Sequence, residues 1–245
     1  MRISVCIPTC NGEKFIQKQM DSILSELGAN DEVLISDDSS TDRTIEIIKA
    51  YNDSRIKVIE NCTFKSPIFN LENALKQAKG AYVFLSDQDD IWLPGKVNIT
   101  MEKLIHYDIV VCNGHIIDRD DKIIHDSYFE WKGSGSGFIK NVMKNTYLGC
   151  SLAFNRNILD FILPFPKNIA MHDIWIGMAG ELIGKSYFIQ EQLFLYRRHN
   201  DNFTAAIQKS DNGLSDNTIA YKIRYRIVML FDLFTRYIER KVLNK

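Results

Sequence analysis

The sequence has no long apolar segment. No run approaches the roughly 18 apolar residues that a transmembrane helix needs. The first residues, Met1 to Ile3, lead into strand-like sequence without the apolar centre of a secretory signal peptide. We therefore expect a cytoplasmic protein, with peripheral contact at the inner face of the plasma membrane left open.

Cysteine is scarce and shows no pairing pattern. The chain has 5 cysteines, and none of them forms a C-x-x-C pair. This odd number and scattered spacing disfavour a disulfide framework and a zinc site. We expect reduced thiols that are mostly buried.

An excess of one charge is also absent, because 30 basic residues face 31 acidic ones and the net charge is -1. This balance argues against a nucleic-acid partner. With 45% hydrophobic and 25% charged residues, the composition is that of a globular protein. At 245 residues the chain has room for one large α/β domain, with or without a helical appendage.

Strand-like and helix-like segments alternate through the first third of the chain. Short β-rich runs are separated by stretches whose apolar residues recur at helical spacing. The predicted strands are Ile3–Pro8, Glu32–Ser36, Arg55–Glu60 and Ala81–Ser86, and the predicted helices are Glu13–Leu27, Arg43–Tyr51 and Leu71–Lys79. This order predicts an α/β fold with a Rossmann-like, mostly parallel sheet flanked by helices, whose loops gather at one edge.

Polar clusters follow three of these strands. They are Thr9–Glu13, Asp37–Ser40 and Asp87–Asp90. Loops and helix N-termini at such an edge offer N–H groups to anions, and Asp38 can accept hydrogen bonds from a base or ribose. A nucleotide is therefore the predicted ligand. Taken alone, Asp37–Ser40 also fits helix N-capping.

The third cluster places three carboxylates, Asp87, Asp89 and Asp90, at a strand end. Close carboxylates repel one another unless a cation lies among them. Mg²⁺ or Mn²⁺ prefers oxygen ligands and is commonly held by one or two carboxylates together with phosphate oxygens. The cluster therefore predicts a divalent cation on a phosphorylated donor, with Asp90 capping the following segment. In isolation, a solvated acidic turn is the alternative.

Two later segments carry titratable side chains. His172 and Asp173 stand at the start of a predicted helix, where Asp173 fits either an N-cap or a general base. Arg197, Arg198 and His199 either lie beside the presumed diphosphate or form an exposed basic turn.

The segment 133–137 reads Gly-Ser-Gly-Ser-Gly. Its composition is that of a linker, so it predicts a flexible lid or an unremarkable loop, and it is not a phosphate loop because it lacks the lysine and hydroxyl context of one. From Leu214 onward the sequence predicts a helix. Its apolar face carries Ile223, Ile227, Leu230, Phe231 and Phe234, and its other faces carry Lys222, Arg224, Arg226 and Arg236. This helix either packs on the core or rests on an anionic membrane surface.

Several segments together resemble the family 2 glycosyltransferases with the GT-A fold. Ser4–Glu13 and Ile35–Asp42 are similar to the nucleotide loops of that family, and Asp87-Gln88-Asp89 is similar to its D-x-D metal motif. His172–Trp175 resembles the position of the catalytic base, and Tyr196–Asn202 resembles a downstream motif of rhamnosyltransferase-like bacterial members. The resemblance extends from Ile3 to about Asn202.

The resemblance implies a role for the residues that match these motifs. Asp173 would be the catalytic base, while Asp87 and Asp89 would hold a divalent cation, Mg²⁺ or Mn²⁺. The nucleotide would be bound by Pro8, Thr9, Asn11, Glu13, Asp38, Asn70, Asn73, Asp87 and Gln88. The diphosphate or the acceptor would be contacted by Trp92, His172, Trp175, Arg197, Arg198 and His199. For Trp92, burial in the core is the open alternative.

Together these implications describe an inverting, metal-dependent glycosyltransferase. The favoured reaction moves rhamnose from dTDP-rhamnose to a saccharide or lipid-linked acceptor in bacterial surface-polysaccharide synthesis. The alternatives are a UDP-hexose donor, a nucleotidyltransferase and a non-catalytic sugar-nucleotide binding module. A nucleotidyltransferase needs a glycine-rich triphosphate loop, which Thr9–Glu13 does not supply.

The same reading divides the chain into a catalytic domain and an extension. The catalytic domain is expected at 1–205, with a nucleotide-binding half at 1–92 and an acceptor-binding half at 93–205. A helical C-terminal extension is expected at 206–245.

Overall fold

The structure is a computed structural model that describes residues 2–198 and 219–243. Strands and helices alternate along the described chain. In order, they are β1 (Ile3–Thr9), α1 (Ile16–Glu26), β2 (Glu32–Asp37), α2 (Thr44–Ala50), β3 (Ile56–Ile59), α3 (Pro67–Gln77), β4 (Tyr82–Leu85), β5 (Ile91–Trp92), α4 (Lys96–Leu104), β6 (Ile109–Ile117), β7 (Ile123–His125), α5 (Tyr128–Lys132), α6 (Phe138–Met143), a single 3-10 turn (Gly149–Ser151), β8 (Leu152–Asn155), α7 (Arg156–Ile162), α8 (His172–Ile183), β9 (Ser186–Arg197) and α9 (Ile219–Leu243).

One sheet organises these elements, with the strand order β3-β2-β1-β4-β8-β6-β9-β5 and with β7 paired to β6. The first four strands of that order are parallel to one another, as predicted. Strand β8 is antiparallel to both β4 and β6, and β5 is antiparallel to β9. The α/β class is confirmed, but the sheet is mixed, because the strands after β4 form both parallel and antiparallel pairs.

The sheet lies between two apolar layers, which is why its central strands are apolar on both faces. Val5 and Ile7 pack into the layer formed with α1, α2 and α4. Their neighbour Cys6 points into the layer formed with α3, α7 and α8. This double burial fixes the register of β1 and holds its carboxyl end rigidly beside those of β2 and β4.

Helix α9 packs against the second layer. Met229 and Leu233 are buried in it, and the Arg236 guanidinium lies 5.0 Å from the ring centre of Trp175. Within the described ranges, the structure has no helix that is both long and apolar enough to cross a membrane.

The glycine-serine segment 133–137 makes hydrogen bonds to other parts of the chain. Ser134 donates a hydrogen bond to the Thr146 carbonyl, at 2.8 Å. The Gly137 N–H donates to the Glu181 carboxylate, at 2.9 Å, and Asn141 donates to the Gly135 carbonyl. The composition of the segment does not predict these hydrogen bonds, because their partners lie elsewhere in the chain.

Candidate active site

The loops that follow β1, β2 and β4 meet at one edge of the sheet. Gln88 joins two of them, because its Oε1 accepts a hydrogen bond from the Cys10 N–H at 2.9 Å and its Nε2 donates to the Cys10 carbonyl at 3.0 Å. The Asp38 N–H donates to the Thr9 carbonyl at 2.9 Å. The predicted convergence of the three polar clusters is therefore present.

Asn11 and Glu13 join the loop after β1 to the loop after β2. Asn11 Oδ1 accepts a hydrogen bond from the Thr41 N–H at 2.8 Å, and Glu13 Oε2 accepts from the Arg43 N–H at 3.1 Å. Asn11 has a φ of 51°, in the left-handed region that asparagine tolerates better than most residues. These contacts show how both side chains shape the edge of the site.

Asp38 holds the loop that precedes α3. Its Oδ1 accepts from the Phe64 N–H at 2.7 Å, and its Oδ2 accepts from the Ser66 N–H at 3.3 Å. The carboxylate is half-buried, so part of it faces the edge of the site. Asp38 therefore orders the loop and retains an exposed portion.

Helix α3 supports these loops from beneath. Asn70 Nδ2 donates to the Thr9 carbonyl at 3.0 Å, and Asn73 Nδ2 donates to the Ser36 hydroxyl at 2.9 Å. Asn70 is buried, and its Oδ1 has no hydrogen-bond partner within the described residues. The Thr9 hydroxyl is buried too, and it donates to Asp37 at 3.2 Å.

The acidic turn after β4 forms the centre of the site. Burial and the charges of Asp89 and Asp173 raise the pKa of Asp87 to about 7. Burial and the charges of Asp89 and Asp87 raise the pKa of Asp90 well above its usual range. These carboxylates therefore repel one another as ionised groups, which is the electrostatic setting that a bound cation would relieve.

Asp90 does not cap a helix, in contrast to the role expected from the sequence. It is almost fully buried and is followed by β5, and its Oδ1 accepts the Arg197 N–H at 3.0 Å. Helix α4 begins only at Lys96, after Gly95. Asp90 therefore belongs to the acidic cluster and links it to the end of β9.

Asp87, Asp90 and Cys150 bring their ligand atoms within 4.8 Å of one another. Burial and the charge of Asp90 raise the pKa of the Cys150 thiol, so this sulfur stays protonated. Asp90 Oδ2 is buried and accepts no hydrogen bond from a nitrogen or oxygen within the described ranges. An oxygen-rich donor set with one unsatisfied carboxylate oxygen suits a hard cation such as Mg²⁺ or Mn²⁺.

Arg197 is buried among protein groups. Its Nε donates to the Asp89 carbonyl at 2.8 Å, and one terminal nitrogen donates to the Asp118 carbonyl at 3.0 Å. The same nitrogen forms an ion pair with Asp121 at 2.5 Å. The guanidinium therefore holds the acidic turn and the β6–β7 hairpin, a positioning role rather than the diphosphate contact expected for it.

Asp173 occupies the first turn of α8 and is 7% exposed. Burial raises its pKa, and the opposing contributions come from His172, the Ile174 N–H, Asn145 and Lys132. Because the charge of Asp173 helps to raise the pKa of Asp87, the two carboxylates interact electrostatically. Asp173 does not act as the N-cap of α8, since that position is held by Met171.

His172 lies next to Asp173 against the backbone of Gly149, where a Cβ would overlap its ring. Burial lowers the pKa of His172, so the ring is neutral near pH 7. Its Nδ1 is buried without a hydrogen-bond partner in the part of the chain that the structure describes. His172 therefore stays a candidate for the acceptor side of the site.

Two predicted acceptor contacts lie in the core instead. Trp175 is fully buried, and its Nε1 donates to the Ile162 carbonyl at 3.1 Å. Trp92 is 3% exposed and packs on Phe84, with 5.8 Å between ring centres. Neither indole can contact an acceptor, because each is buried. For Trp92, the alternative of core burial is the correct one.

Trp131 is an exposed aromatic side chain that the sequence analysis did not single out. It is 42% exposed, and the Arg198 guanidinium lies 5.0 Å from its ring centre. Tyr128 lies 5.9 Å from the same indole, and burial and the charge of Asp173 raise the Tyr128 pKa. The pair Ser127 and Glu130 is the sequence pattern that could have located the start of α5. The Ser127 hydroxyl accepts a hydrogen bond from the Glu130 N–H, as an N-capping residue does.

His199 and the rest of the predicted motif to Asn202 lie outside the described residues. The boundary between 205 and 206 lies outside them as well.

Comparison with known proteins identifies a family and several relatives. The family model described as Glycosyl transferase family 2 matches residues 4–163. A UDP-Glc:alpha-D-GlcNAc-diphosphoundecaprenol beta-1,3-glucosyltransferase of Escherichia coli is 29% identical over 167 residues, which is 66% of this chain and 64% of that protein. A dTDP-rhamnosyl transferase of Shigella flexneri is 23% identical over 240 residues, which is 89% of this chain and 76% of that protein.

A further relative has a lipid-linked substrate in its name. A GalNAc(5)-diNAcBac-PP-undecaprenol beta-1,3-glucosyltransferase of Campylobacter jejuni is 27% identical over 208 residues, which is 80% of this chain. The match spans 64% of the length of that enzyme.

Solved structures share the fold. TarS of S. aureus in complex with UDP-GlcNAc has a TM-score of 0.73 at 20% identity, covering 94% of this chain and 66% of that one. A mannosyltransferase from Pyrobaculum calidifontis in complex with GDP-Man and Mn2+ has a TM-score of 0.61 at 18% identity, covering 97% and 73%.

Proposed function

This chain belongs to glycosyl transferase family 2 and is a glycosyltransferase with the GT-A fold, and on that premise we propose that it is an inverting, metal-dependent enzyme of bacterial surface-polysaccharide synthesis. It moves a sugar from a pyrimidine nucleoside diphosphate to a lipid-linked saccharide. The observation that carries the proposal is a buried carboxylate, Asp173, in electrostatic contact with the acidic turn at the carboxyl edge of the sheet.

Inversion by single displacement needs one base and no protein nucleophile. The acceptor hydroxyl attacks the anomeric carbon as the bond from that carbon to the diphosphate oxygen breaks, and the hydroxyl proton passes to Asp173. The raised pKa of Asp173 supports this role, because burial makes the carboxylate a stronger base than a solvated aspartate.

The donor is bound at the converging loops. Asp38 would accept hydrogen bonds from the base or the ribose, through the part of its carboxylate that faces the edge of the site. Asp87, together with Asp89 or Asp90, would hold Mg²⁺ or Mn²⁺. When bound, such a cation offsets the charge that develops on the leaving diphosphate.

The donor sugar has two candidates. UDP-glucose is supported by the relative that has UDP-Glc in its name, which is 29% identical to this chain, and glucose as the sugar is supported by a second glucosyltransferase, which is 27% identical. dTDP-rhamnose is supported by a relative that is 23% identical. The identities favour UDP-glucose, and dTDP-rhamnose is the second candidate.

The acceptor side is formed by α5 and the start of α8. Trp131 would offer its exposed face to an acceptor sugar, since apolar sugar faces stack on aromatic rings. Arg198 lies beside it as a cation for the diphosphate of a lipid-linked acceptor. Such an acceptor implies work in the cytoplasm at the inner face of the membrane.

The proposal is tested by a transfer assay with defined donors. The protein is incubated with Mn²⁺, a lipid-linked saccharide, and UDP-glucose or dTDP-rhamnose, and nucleotide release is measured with and without the acceptor. We expect acceptor-dependent release from one donor and a product of opposite anomeric configuration by NMR. A product that retains the donor configuration contradicts inversion, and release from neither donor contradicts the donor assignment.

A further inference from the structure

Helix α9 has a second apolar face, on the side away from the core. Six residues of this face are exposed: Ile223 (53%), Ile227 (61%), Phe231 (70%), Phe234 (44%), Ile238 (60%) and Val242 (67%). They recur every three or four residues, so they form one continuous stripe of roughly 28 Å along the helix. Burial of Met229 and Leu233 already anchors the helix, so the stripe is not needed for packing.

Helix α6 extends this apolar stripe sideways. Ile139 and Met143 are 79% and 74% exposed, among the most exposed large apolar side chains of the described chain. The two helices are joined, because Arg226 Nε donates to the Val142 carbonyl at 2.6 Å and Phe138 lies 6.2 Å from Phe234 between ring centres. Contiguous exposed apolar side chains of this kind mark an interaction surface.

The charges around the stripe are of one sign. At 100° per residue, Arg224 and Lys241 fall within the same third of α9 as the apolar stripe. The two acids of the helix, Asp232 and Glu239, fall outside that third. Two exposed lysines add to these charges, Lys140 on α6 and Lys144 directly after it. The surface formed by the stripe and by α6 is therefore both apolar and basic.

We propose that this surface docks on an anionic lipid membrane. Its apolar side chains enter the boundary between headgroups and acyl chains, and the cations pair with anionic headgroups. The surface adjoins the acceptor side of the site, because Met143 is two residues before Asn145, whose side chain hydrogen-bonds to Asp173. The purpose of membrane docking rests on the proposed function: docking would bring a lipid-linked acceptor to the Asp173 carboxylate.

A second copy of the chain fits the charges poorly. If two α9 helices paired antiparallel through their stripes, Phe231 would face Phe234, but Arg224 would face Lys241. Parallel pairing would place each cation opposite the equivalent cation of the second copy. Both arrangements bring like charges together, which is unfavourable, whereas an anionic membrane satisfies every cation.

The test is sedimentation of the protein with vesicles that contain neither donor nor acceptor. We expect binding to phosphatidylglycerol-containing vesicles and little binding to pure phosphatidylcholine. The double variant I227S/F231S should lower the partition coefficient at least about tenfold, because two apolar side chains are lost from the membrane face. Ile105→Ser is the control, since Ile105 is 63% exposed directly after α4, and it should bind as the parent does.

Two results would overturn the proposal. One is equal vesicle binding by the parent and I227S/F231S, or no binding by the parent. The other is a dimer in size-exclusion chromatography that dissociates in the double variant, which would assign the surface to a second copy. Transfer to a soluble short-chain acceptor should be unchanged in I227S/F231S, so loss of docking and failure of the proposed function are distinguished.

Discussion

At the scale of single residues, the acidic turn combines three carboxylates that differ in their surroundings. Asp87 has a pKa raised to about 7, while Asp90 is buried against the end of β9. A site of this kind is unfavourable without a cation, so nucleotide binding should depend on metal.

We therefore predict that the Asp87→Asn and Asp89→Ala variants lose most of the gain in UDP affinity that Mn²⁺ gives the parent. Calorimetric titration with and without Mn²⁺ measures this gain. The exposed Asp126 is the control, because Asp126→Asn changes the charge equally away from the cluster. An unchanged metal-dependent gain in both site variants would remove Asp87 and Asp89 from the metal site.

Asp173 gives a prediction about pH. A base must be ionised to act, so transfer should fall as the pH decreases through the pKa of Asp173, which burial has raised. The charge of Lys132 lowers that pKa, so Lys132→Gln should raise it and move the acidic limb of kcat/KM to higher pH. Lys140→Gln, a change on α6, should leave the limb in place. A limb that does not move in Lys132→Gln would contradict this electrostatic link.

At the scale of elements, Arg197 shows how the end of β9 fixes the site. Replacing it by Gln removes the guanidinium donor from the Asp89 and Asp118 carbonyls and breaks the ion pair with Asp121, which keeps its pair with Lys18. We expect the free energy of unfolding to fall by roughly 3 kcal/mol, as for other broken buried pairs. Urea denaturation measures it, with Arg43→Gln, a change at an exposed residue directly before α2, as a control that should not shift the midpoint. A midpoint equal to that of the parent would show that Arg197 does not hold the turn.

Helix α8 gives a second prediction at this scale. Its Gly177 lies against the ring of Tyr147, which a Cβ would overlap, and the Tyr147 hydroxyl donates to Glu181 at 2.8 Å. Gly177→Ala should therefore displace Tyr147 and lower stability by about 1–3 kcal/mol. Gly28→Ala, where a Cβ would meet only Asp31 at 3.4 Å, is the control. Equal thermal midpoints for Gly177→Ala and the parent would contradict this packing.

The elements that the sequence could predict are those built from local patterns. Strands β1, β2 and β4 were evident from short apolar runs and the turn residues after them, and their order placed three polar loops together. The antiparallel pairing of β8 with β4 and β6 was not evident, because strand direction depends on how distant segments pair. The same limit applies to Trp92 and Trp175, since an indole near a polar motif has the same sequence signal whether it faces the core or the site.

Non-local contacts also decide the roles of charged residues. Arg197 reads as a diphosphate ligand beside Arg198, yet its partners Asp118 and Asp121 are about 80 residues away in sequence. Asp90 reads as a cap because its partner Arg197 is 107 positions distant. Trp131 was hidden by the glycine-serine run that follows it.

At the scale of the whole molecule, one continuous sheet carries both sides of the reaction. The loops proposed to bind the donor follow β1, β2 and β4, while the proposed acceptor side is built on elements after β5. Strand β8 pairs directly with β4, so the proposed halves 1–92 and 93–205 share a single sheet. This common platform keeps the acidic turn and Asp173 in fixed relation, which single displacement requires.

The central claim is that Asp173 takes the proton of the acceptor hydroxyl, while the loops after β1, β2 and β4 bind the donor. The most direct measurement is Asp173→Asn, assayed in parallel for UDP binding with Mn²⁺ by calorimetry and for sugar transfer. We predict nucleotide affinity close to that of the parent and transfer that is lower by about 10²- to 10⁴-fold, as expected for a lost general base. Turnover close to that of the parent would contradict the account.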